Sequence, residues 1–299
     1  MTAVHELTLP ETIAGCLQWA RSRLSAVSAS ATLDAELMLG EVLRVSRTHL
    51  RAWPERAVVV EAAEQFRVLV ERRARGEPVA YLLGRQEFYG LELHVDRTTL
   101  IPRPETELVV DFVLAAVADI HAPRILDVGC GSGAIALAVA DGRPDALVDA
   151  VERDPGAAAV AGANAARLAL RNVTVYRGSW FEPVASRRYD VVAANPPYVA
   201  ESERAVTSPE TAFEPELALF AADAGLAALR EITAGAVARL HAGGWLVLEH
   251  GYAQGRAVRG TMTAAGFVAV ATQRDLANHE RLTVGRLGRA DGRRQDPTS

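Results

Sequence analysis

Hydrophobic residues recur at two different periods along this chain. Between residues 11 and 75 the spacing is that of helices. "TIAGCLQWARSRL" places Ile13, Leu17, Ala20 and Leu24 on one face. "SATLDAELMLGEVL" does the same with Leu33, Leu37, Gly40 and Val42-Leu43, and offers Ser30 as an N-cap. "AAEQFRVLVERRARG" carries Phe66, Leu69 and Val70, assigns its arginines to solvent and stops at Gly76. Residues 78–100, "PVAYLLGRQEFYGLELHVDRTTL", turn to alternation and aromatic content punctuated by Gly84 and Gly90, the pattern of a hairpin joining two domains.

From residue 107 onward helices and strands alternate. Strands are predicted at 124–129, 147–152, 173–178, 190–195, 244–250, 267–272 and 281–287. Near-continuous Val, Ile, Leu and Ala runs with helices between the first five predict a mostly parallel sheet covered on both faces. Only a short stretch around "NHE" separates the last two, too little for a crossover helix, so they are expected to pair antiparallel at one edge. The domain reading is therefore 1–77 helical, 78–100 hairpin linker, 101–288 α/β, and 289–299 a polar, aperiodic, disordered tail.

Composition narrows the classes. The 299 residues suffice for two domains. Every basic residue other than histidine is arginine, which reads as genomic base composition, and the formal charge of −5 argues against a protein devoted to gripping bare nucleic acid. Cys16 and Cys130 form neither a disulfide framework nor a zinc spacing, so no metal is expected. The start "MTAVHELTLPE" lacks the basic and apolar regions of a secretion signal, and no apolar run is long enough for a bilayer. The expectation is a soluble cytoplasmic protein.

"LDVGCGSGAIALAVA", residues 126–140, reads as strand, glycine turn and helix. Gly129, Gly131 and Gly133 let the backbone turn sharply and approach a ligand. Ligands of such sheets lie beyond the carboxyl ends of the strands. Asp127 precedes the glycines where a dinucleotide site would usually hold an apolar residue, and "VDAVERD" ends the next strand on Glu152, which could accept from both hydroxyls of a ribose. A phosphate cradle would want a lysine. The combination favours a nucleoside bearing a carboxylate and an amine, which S-adenosylmethionine fits, over a nicotinamide site or a plain turn.

"DVVAANPPYVA", residues 190–200, ends a buried strand on an amide, two imino acids and a phenol. The Asn195 side chain offers a carbonyl acceptor, and Pro196 has a carbonyl but no N–H. Two such oxygens could hold both hydrogens of a planar NH2 group, with Tyr198 stacked on it. That group is an amide or an aromatic amine, whose delocalised lone pair makes it a poor nucleophile. The two dipoles would stabilise positive charge developing on nitrogen during methyl transfer. The proton leaves afterwards, so no histidine or lysine base is required. The plain alternative is a turn that merely stops the strand.

In this order, "DVGCGSG", the acidic strand end and "NPPY" resemble the class I methyltransferases of planar amino groups. "LIPRPETE" (100–107), "FEPELAL" (213–219), "LEHGYAQG" (248–255) and "RDLANHERLTVGR" (274–286) narrow the resemblance to the peptide chain release factor glutamine methyltransferases, the PrmC or HemK family. "DAELML" and "RRARGEPVAYLLGRQEFYGLELHV" are similar to that family's helical N-terminal domain and hairpin, so the likeness runs from about residue 10 to 287.

The resemblance implies a Rossmann-like seven-stranded sheet with an N-terminal helical domain and connecting β-hairpin. It implies S-adenosylmethionine as cofactor and, as substrate, the glutamine of Gly-Gly-Gln in class 1 release factors, methylated on its side-chain nitrogen. Gly129, Cys130, Gly131, Ser132 and Gly133 would line the methionine part, and Glu152 would hold the ribose, where many relatives have Asp. Trp180 of "GSWFE" would lie beside the adenine or simply pack in the core. Asn195, Pro196, Pro197 and Tyr198 would hold the glutamine amide, with Asn195, Pro196 and Tyr198 catalytic and Asn195 also near the cofactor. Arg103 and Glu105 would shape the roof or make an ion pair and helix start; Glu214, Glu249 and His250 remain without a role. Relatives often carry Gly where this chain has Asn278, which tolerates a left-handed turn. An N6-adenine methyltransferase would share the clamp but call for a basic, aromatic-interleaved target domain, whereas residues 11–75 alternate Arg with Glu and Asp. A non-catalytic cofactor-binding module would have no need of the clamp. A protein partner, no direct nucleic acid, no membrane and a monomer are expected.

Overall fold

The computed structural model describes residues 12–288. Two compact units emerge. The first spans residues up to Arg85 together with Ser208–Phe213; the second takes Gln86–Thr207 and the chain from Glu214 onward. The expected tail at 289–299 lies outside the described residues.

The first unit holds α1 (Ile13–Leu24), α2 (Ala31–Leu43), α3 (Arg47–Ala52), α4 (Val60–Ala74) and α5 (Val79–Leu83). Thr12 caps α1 by accepting from the Gly15 N–H at 3.2 Å. Ser30 does occupy the N-cap of α2 but makes no capping bond; its hydroxyl donates to Asp34 Oδ1 at 2.8 Å. The α2 face also departs from its sequence pattern. Leu33 is exposed, while Asp34, Ala35, Glu36, Met38 and Leu39 are buried. Ion pairs explain the inversion. Arg73, 3% exposed on α4, donates to Asp34 Oδ2 at 2.7 Å and also pairs with Glu210. Glu36 accepts from Arg47 at 2.8 Å and from Arg51 at 3.0 Å, and these arginines hold its carboxyl below the usual range. Charged residues that a binary pattern sends to solvent thus sit inside because partners from other helices reach them.

Val79–Leu83 is a helix rather than the start of the hairpin. Pro78 presets its first turn and Gly84, at φ +70°, closes it in the left-handed region. The hairpin is shorter than the sequence pattern suggests: β1 (Arg85–Phe88) and β2 (Leu91–His94) meet at Tyr89-Gly90, φ +52° and +77°. Two consecutive positive φ values are what a tight hairpin turn demands.

The second unit carries the sheet. In chain order come α6 (Glu107–Ala116), β3 (Arg124–Val128), α7 (Ala134–Gly142), β4 (Leu147–Glu152), α8 (Pro155–Arg167), β5 (Val173–Arg177), β6 (Tyr189–Ala194), and the short β7 (Val199–Ala200), α9 (Glu216–Leu219) and β8 (Phe220–Ala221). Then follow α10 (Ala227–Val237), β9 (Leu240–Glu249), α11 (Gly255–Ala264), β10 (Phe267–Arg274) and β11 (Glu280–Leu287). Seven strands form one sheet in the order β10-β11-β9-β6-β3-β4-β5. All seven predicted strands are present. β9 begins four residues earlier than its apolar run because Leu240 already pairs with Tyr189 of β6, with a bulge before pairing resumes at Trp245. β11 lies antiparallel between β9 and β10, and the remaining pairs are parallel. Asn278, at φ +65°, takes the left-handed turn expected of it.

Apolar clusters cover both sheet faces. Ile125, Val148, Val191 and Val247 face α6 and α7 residues such as Val110 and Leu137. Leu126, Val151, Val192 and Leu246 face Leu229, Ile232 and Met262 of α10 and α11. β4 and β6 flank β3 on opposite sides, so the loops after β3 and β6 open at a point where strand order reverses.

Arg73→Ala leaves Asp34 buried without its cation, so unfolding in denaturant is expected to show a loss of about 3–5 kcal/mol. Arg67→Ala, which removes an exposed pair to Glu64, should stay within about 0.5 kcal/mol. Equal costs for the two variants would show that the buried pair does not hold the helical unit.

Candidate active site

A cavity of about 300 Å3 lies beyond the carboxyl ends of β3, β4 and β6. The loop after β3 forms its floor. The Gly129 and Cys130 N–H groups both donate to the Val151 carbonyl, at 2.8 and 3.1 Å, pulling the loop against β4. Gly129, Gly131 and Gly133 have φ of +76°, +55° and +88°. A side chain at Gly129 would be strained in backbone and would meet the Trp180 ring at 3.5 Å.

Two carboxylates brace this loop. Glu152, at the end of β4, accepts from the Gly131 N–H at 2.9 Å and from the Asp154 N–H at 2.8 Å. Asp127, 1% exposed, accepts from the Ala136 N–H at 3.0 Å through one oxygen, and its other oxygen has no partner. Burial, opposed by that N–H and reinforced by the Glu152 charge, pushes the Asp127 carboxyl up to about 7. The Cys130 thiol is buried and pushed up chiefly by desolvation, with the two carboxylates adding to it; it is a packed group and not a nucleophile.

Gly129, Cys130, Gly131, Ser132, Glu152, Trp180, Asn195, Pro196 and Pro197 all border the cavity. Gly133 does not; it caps α7 in the left-handed conformation. Trp180 packs against a core cluster of the sheet and also borders the cavity, at an unusual φ of +44°. The apolar far wall comes from Pro215 and Leu217, within the "FEPELAL" segment but given no role from sequence, and from Phe220.

Tyr198 is the principal departure. It lies outside the cavity wall, and its hydroxyl donates to Glu249 Oε1 at 3.1 Å. A half-buried phenol needs an acceptor, and a carboxylate behind the loop supplies one. The Tyr198 carbonyl meanwhile accepts from Gln254 Nε2 at 2.9 Å. Tyr198 in this geometry holds the turn in place and does not stack over the cavity.

Arg103 and Glu214 resolve into a structural pair. Glu214, 5% exposed, accepts from the Ile101 N–H at 3.1 Å and from the Arg103 guanidinium. His250 is fully buried and satisfied. Its Nδ1 lies 2.9 Å from the Gly251 carbonyl and so carries the proton, leaving Nε2 to accept from the Thr283 hydroxyl at 2.7 Å. Desolvation lowers its pKa and keeps it neutral. Sequence reasoning missed Thr106. It is 3% exposed, touches the cavity and accepts from Asn195 Nδ2 at 3.0 Å. Standing between two glutamates at a helix start, it carries no sequence mark of that contact.

Among the described residues no cluster of His, Cys, Asp and Glu is placed to hold a metal ion. No helix among them is long and apolar enough to cross a membrane.

Family models match the chain over residues 16–84, as a PrmC N-terminal domain, and over residues 106–214, as a methyltransferase small domain. Among solved structures, the catalytic domain of hMettl16 in complex with the MAT2A 3'UTR hairpin 6 superposes with a TM-score of 0.56 at 16% identity, over 79% of this chain and 86% of that one. A methyltransferase from Pyrococcus furiosus gives 0.51 at 17% identity, over 73% and 98%. Both establish the fold. Identity is far higher to release factor glutamine methyltransferases: 48% over 258 residues in Pseudomonas aeruginosa, covering 86% of this chain and 93% of the relative. It is 45% over 254 residues in Xylella fastidiosa, covering 85% and 92%. In Escherichia coli it is 41% over 270 residues, covering 90% and 97%. With the glycine loop, the carboxylate beyond β4 and the Asn-Pro-Pro-Tyr turn in one unit, the chain belongs to the release factor glutamine methyltransferase family.

Proposed function

We propose that this enzyme transfers the methyl group of S-adenosylmethionine to the side-chain nitrogen of the Gly-Gly-Gln glutamine in class 1 release factors. In this reading Asn195 and Pro196 hold the amide. The observation that carries it is the Asn195 side chain, fixed through Nδ2 at the edge of the cavity. With Nδ2 given to Thr106, the carbonyl oxygen is the atom left for a substrate N–H.

The site fits the cofactor. Left-handed glycines permit close approach of a ligand to the backbone, and Glu152 retains lone pairs beyond the two N–H groups it already accepts. Gly129, Gly131, Ser132, Glu152 and Trp180 would hold it. When bound, S-adenosylmethionine supplies an electrophilic methyl group. The protein supplies position and polarity. Asn195 Oδ1 and the Pro196 carbonyl accept the two amide hydrogens and turn the nitrogen toward the methyl donor. Their dipoles are already oriented when positive charge develops on nitrogen, so little reorganisation is needed. Tyr198, tied to Glu249, keeps the turn rigid.

The substrate is a protein, and we assign its recognition to the helical unit, where chemistry-bearing clusters are replaced by Arg–carboxylate pairs. The enzyme acts in the cytoplasm as a monomer, without direct contact to nucleic acid. A chain starting at Gln86 should then bind S-adenosylmethionine yet methylate intact release factor poorly. Transfer at the full-length rate would place recognition elsewhere.

The direct test is methylation of purified release factor followed by peptide mass analysis of the Gly-Gly-Gln segment, where one added methyl group is expected. Asn195→Ala should cut turnover by about 10²–10³-fold with far less effect on cofactor binding. Asn195→Asp keeps an acceptor and should retain measurable activity. Glu152→Ala should instead weaken cofactor binding, by roughly 1.5–3 kcal/mol in calorimetry. Equal loss in the Asn195 Ala and Asp variants, both folded and binding cofactor, would mean that acceptance is not the whole role of Asn195.

A further inference from the structure

Behind the Asn-Pro-Pro-Tyr turn lies a carboxyl, Glu249, whose second oxygen the chemistry above leaves unused. β6 and β9 run parallel, with Ala194 opposite Leu248. The next residues, Asn195 and Glu249, therefore leave adjacent strand ends side by side. Glu249 is 1% exposed. Its Oε1 accepts from the Tyr198 hydroxyl, and its Oε2 is buried without a partner. The Thr106 hydroxyl lies beside this carboxyl and lowers its pKa. Thr106 in turn accepts from Asn195 Nδ2.

The direction of each hydrogen bond follows from this arrangement. An ionised carboxylate only accepts. With Asn195 donating to the Thr106 oxygen, the single Thr106 proton is left for the carboxyl beside it, whose Oε2 has no other donor, and the Thr106 oxygen only accepts from the other side. Asn195 must present its NH2 group to that oxygen, which leaves Oδ1 for the cavity. We propose that Glu249 is a positioning residue: through Thr106 it fixes the amide orientation of Asn195, and through Tyr198 it fixes the turn that carries Pro196. The inference rests on the reading of Asn195 as the holder of the substrate amide.

Protonation reverses the chain. A protonated Glu249 donates to Thr106, whose own proton then turns to Asn195 and draws Oδ1 out of the cavity. Burial holds the Glu249 carboxyl up at about 7. The groups facing it are Thr106 and Tyr198, which lower it, Arg281 of β11, which lowers it, and Glu105, which raises it. His250, its chain neighbour, is neutral. The sign is then set: the competent form is the ionised one, so kcat should rise with pH through about 7 and level off above it. Asp127 titrates in the same range but braces the cofactor loop, so its titration reads in cofactor affinity and not in kcat.

The experiment measures kcat, KM for release factor and cofactor affinity by calorimetry, each across pH, for the wild-type enzyme, Glu249→Gln, Thr106→Val and Thr106→Ser. Glu249→Gln should lower kcat about a hundredfold, the loss expected when a reacting group is misplaced by about 1 Å, and should flatten the step near pH 7. Thr106→Val should lose as much, the double variant little more, and Thr106→Ser should keep most of the activity because the hydroxyl is retained. Cofactor affinity should change less than about twofold in all, since none of these atoms is assigned to it. A wild-type kcat profile with no rise through this range overturns the proposal, and needs no variant. So does a folded Glu249→Gln or Thr106→Val at wild-type kcat. Asn195→Ala serves as the separate control: if it is fully active, the reading of the clamp fails, whereas if it is inactive and Thr106→Val is active, only the positioning link fails.

Discussion

The hydrogen bond from Asn195 Nδ2 to Thr106, 3.0 Å long, decides which end of one carboxamide is left for the cavity. An amide offers a donor and an acceptor of almost the same shape. Only an external partner distinguishes them. Thr106 is that partner, and in the positioning role proposed for it Glu249 sets the direction in which Thr106 donates. The catalytic contribution assigned to Asn195 requires its oxygen in the cavity, so a bond outside the reacting space governs the chemistry inside it.

The fold brings these groups together by strand register. β6 leads directly into Asn195, β9 ends in Glu249, and β3 and β4 deliver the glycine loop and Glu152 to the same edge of the sheet. Parallel pairing places the carboxyl ends of all four strands on one side, which is where a crevice opens. Three segments distant in sequence, residues 104–106, 195–198 and 249, thus share one network. Charge is handled in two ways across the chain. In the helical unit Asp34 and Glu36 are buried against arginines, which hold the Glu36 carboxyl below its usual range. At the site Asp127 and Glu249 are buried with few donors and titrate near neutrality. Perturbed carboxyls of this second kind mark functional positions more often than packing ones.

Much of this was legible in the sequence. Strand positions, the antiparallel edge pair, the glycine turn and the acidic end of β4 follow from hydrophobic period and from glycine and proline placement. The misreadings have physical causes. Leu33 falls on the apolar face of the sequence pattern and Asp34 carries no mark of burial, because a binary pattern cannot see an arginine arriving from another helix. Residues 79–83 were taken as part of the hairpin because five aromatic and apolar residues fit either period, and Pro78 with Gly84 decided for helix. Tyr198 was expected over the cavity; the acceptor that turns it away, Glu249, is 51 residues along the chain. Thr106 was overlooked because its role depends wholly on a contact 89 residues away.

Neutron diffraction from crystals holding the demethylated cofactor and a Gly-Gly-Gln peptide resolves hydrogens directly. The account predicts the glutamine NH2 group against Asn195 Oδ1, with a deuteron on Asn195 Nδ2 pointing to Thr106. A deuteron on Asn195 Nδ2 pointing instead at the glutamine carbonyl, with Thr106 donating to Asn195 Oδ1, would contradict it.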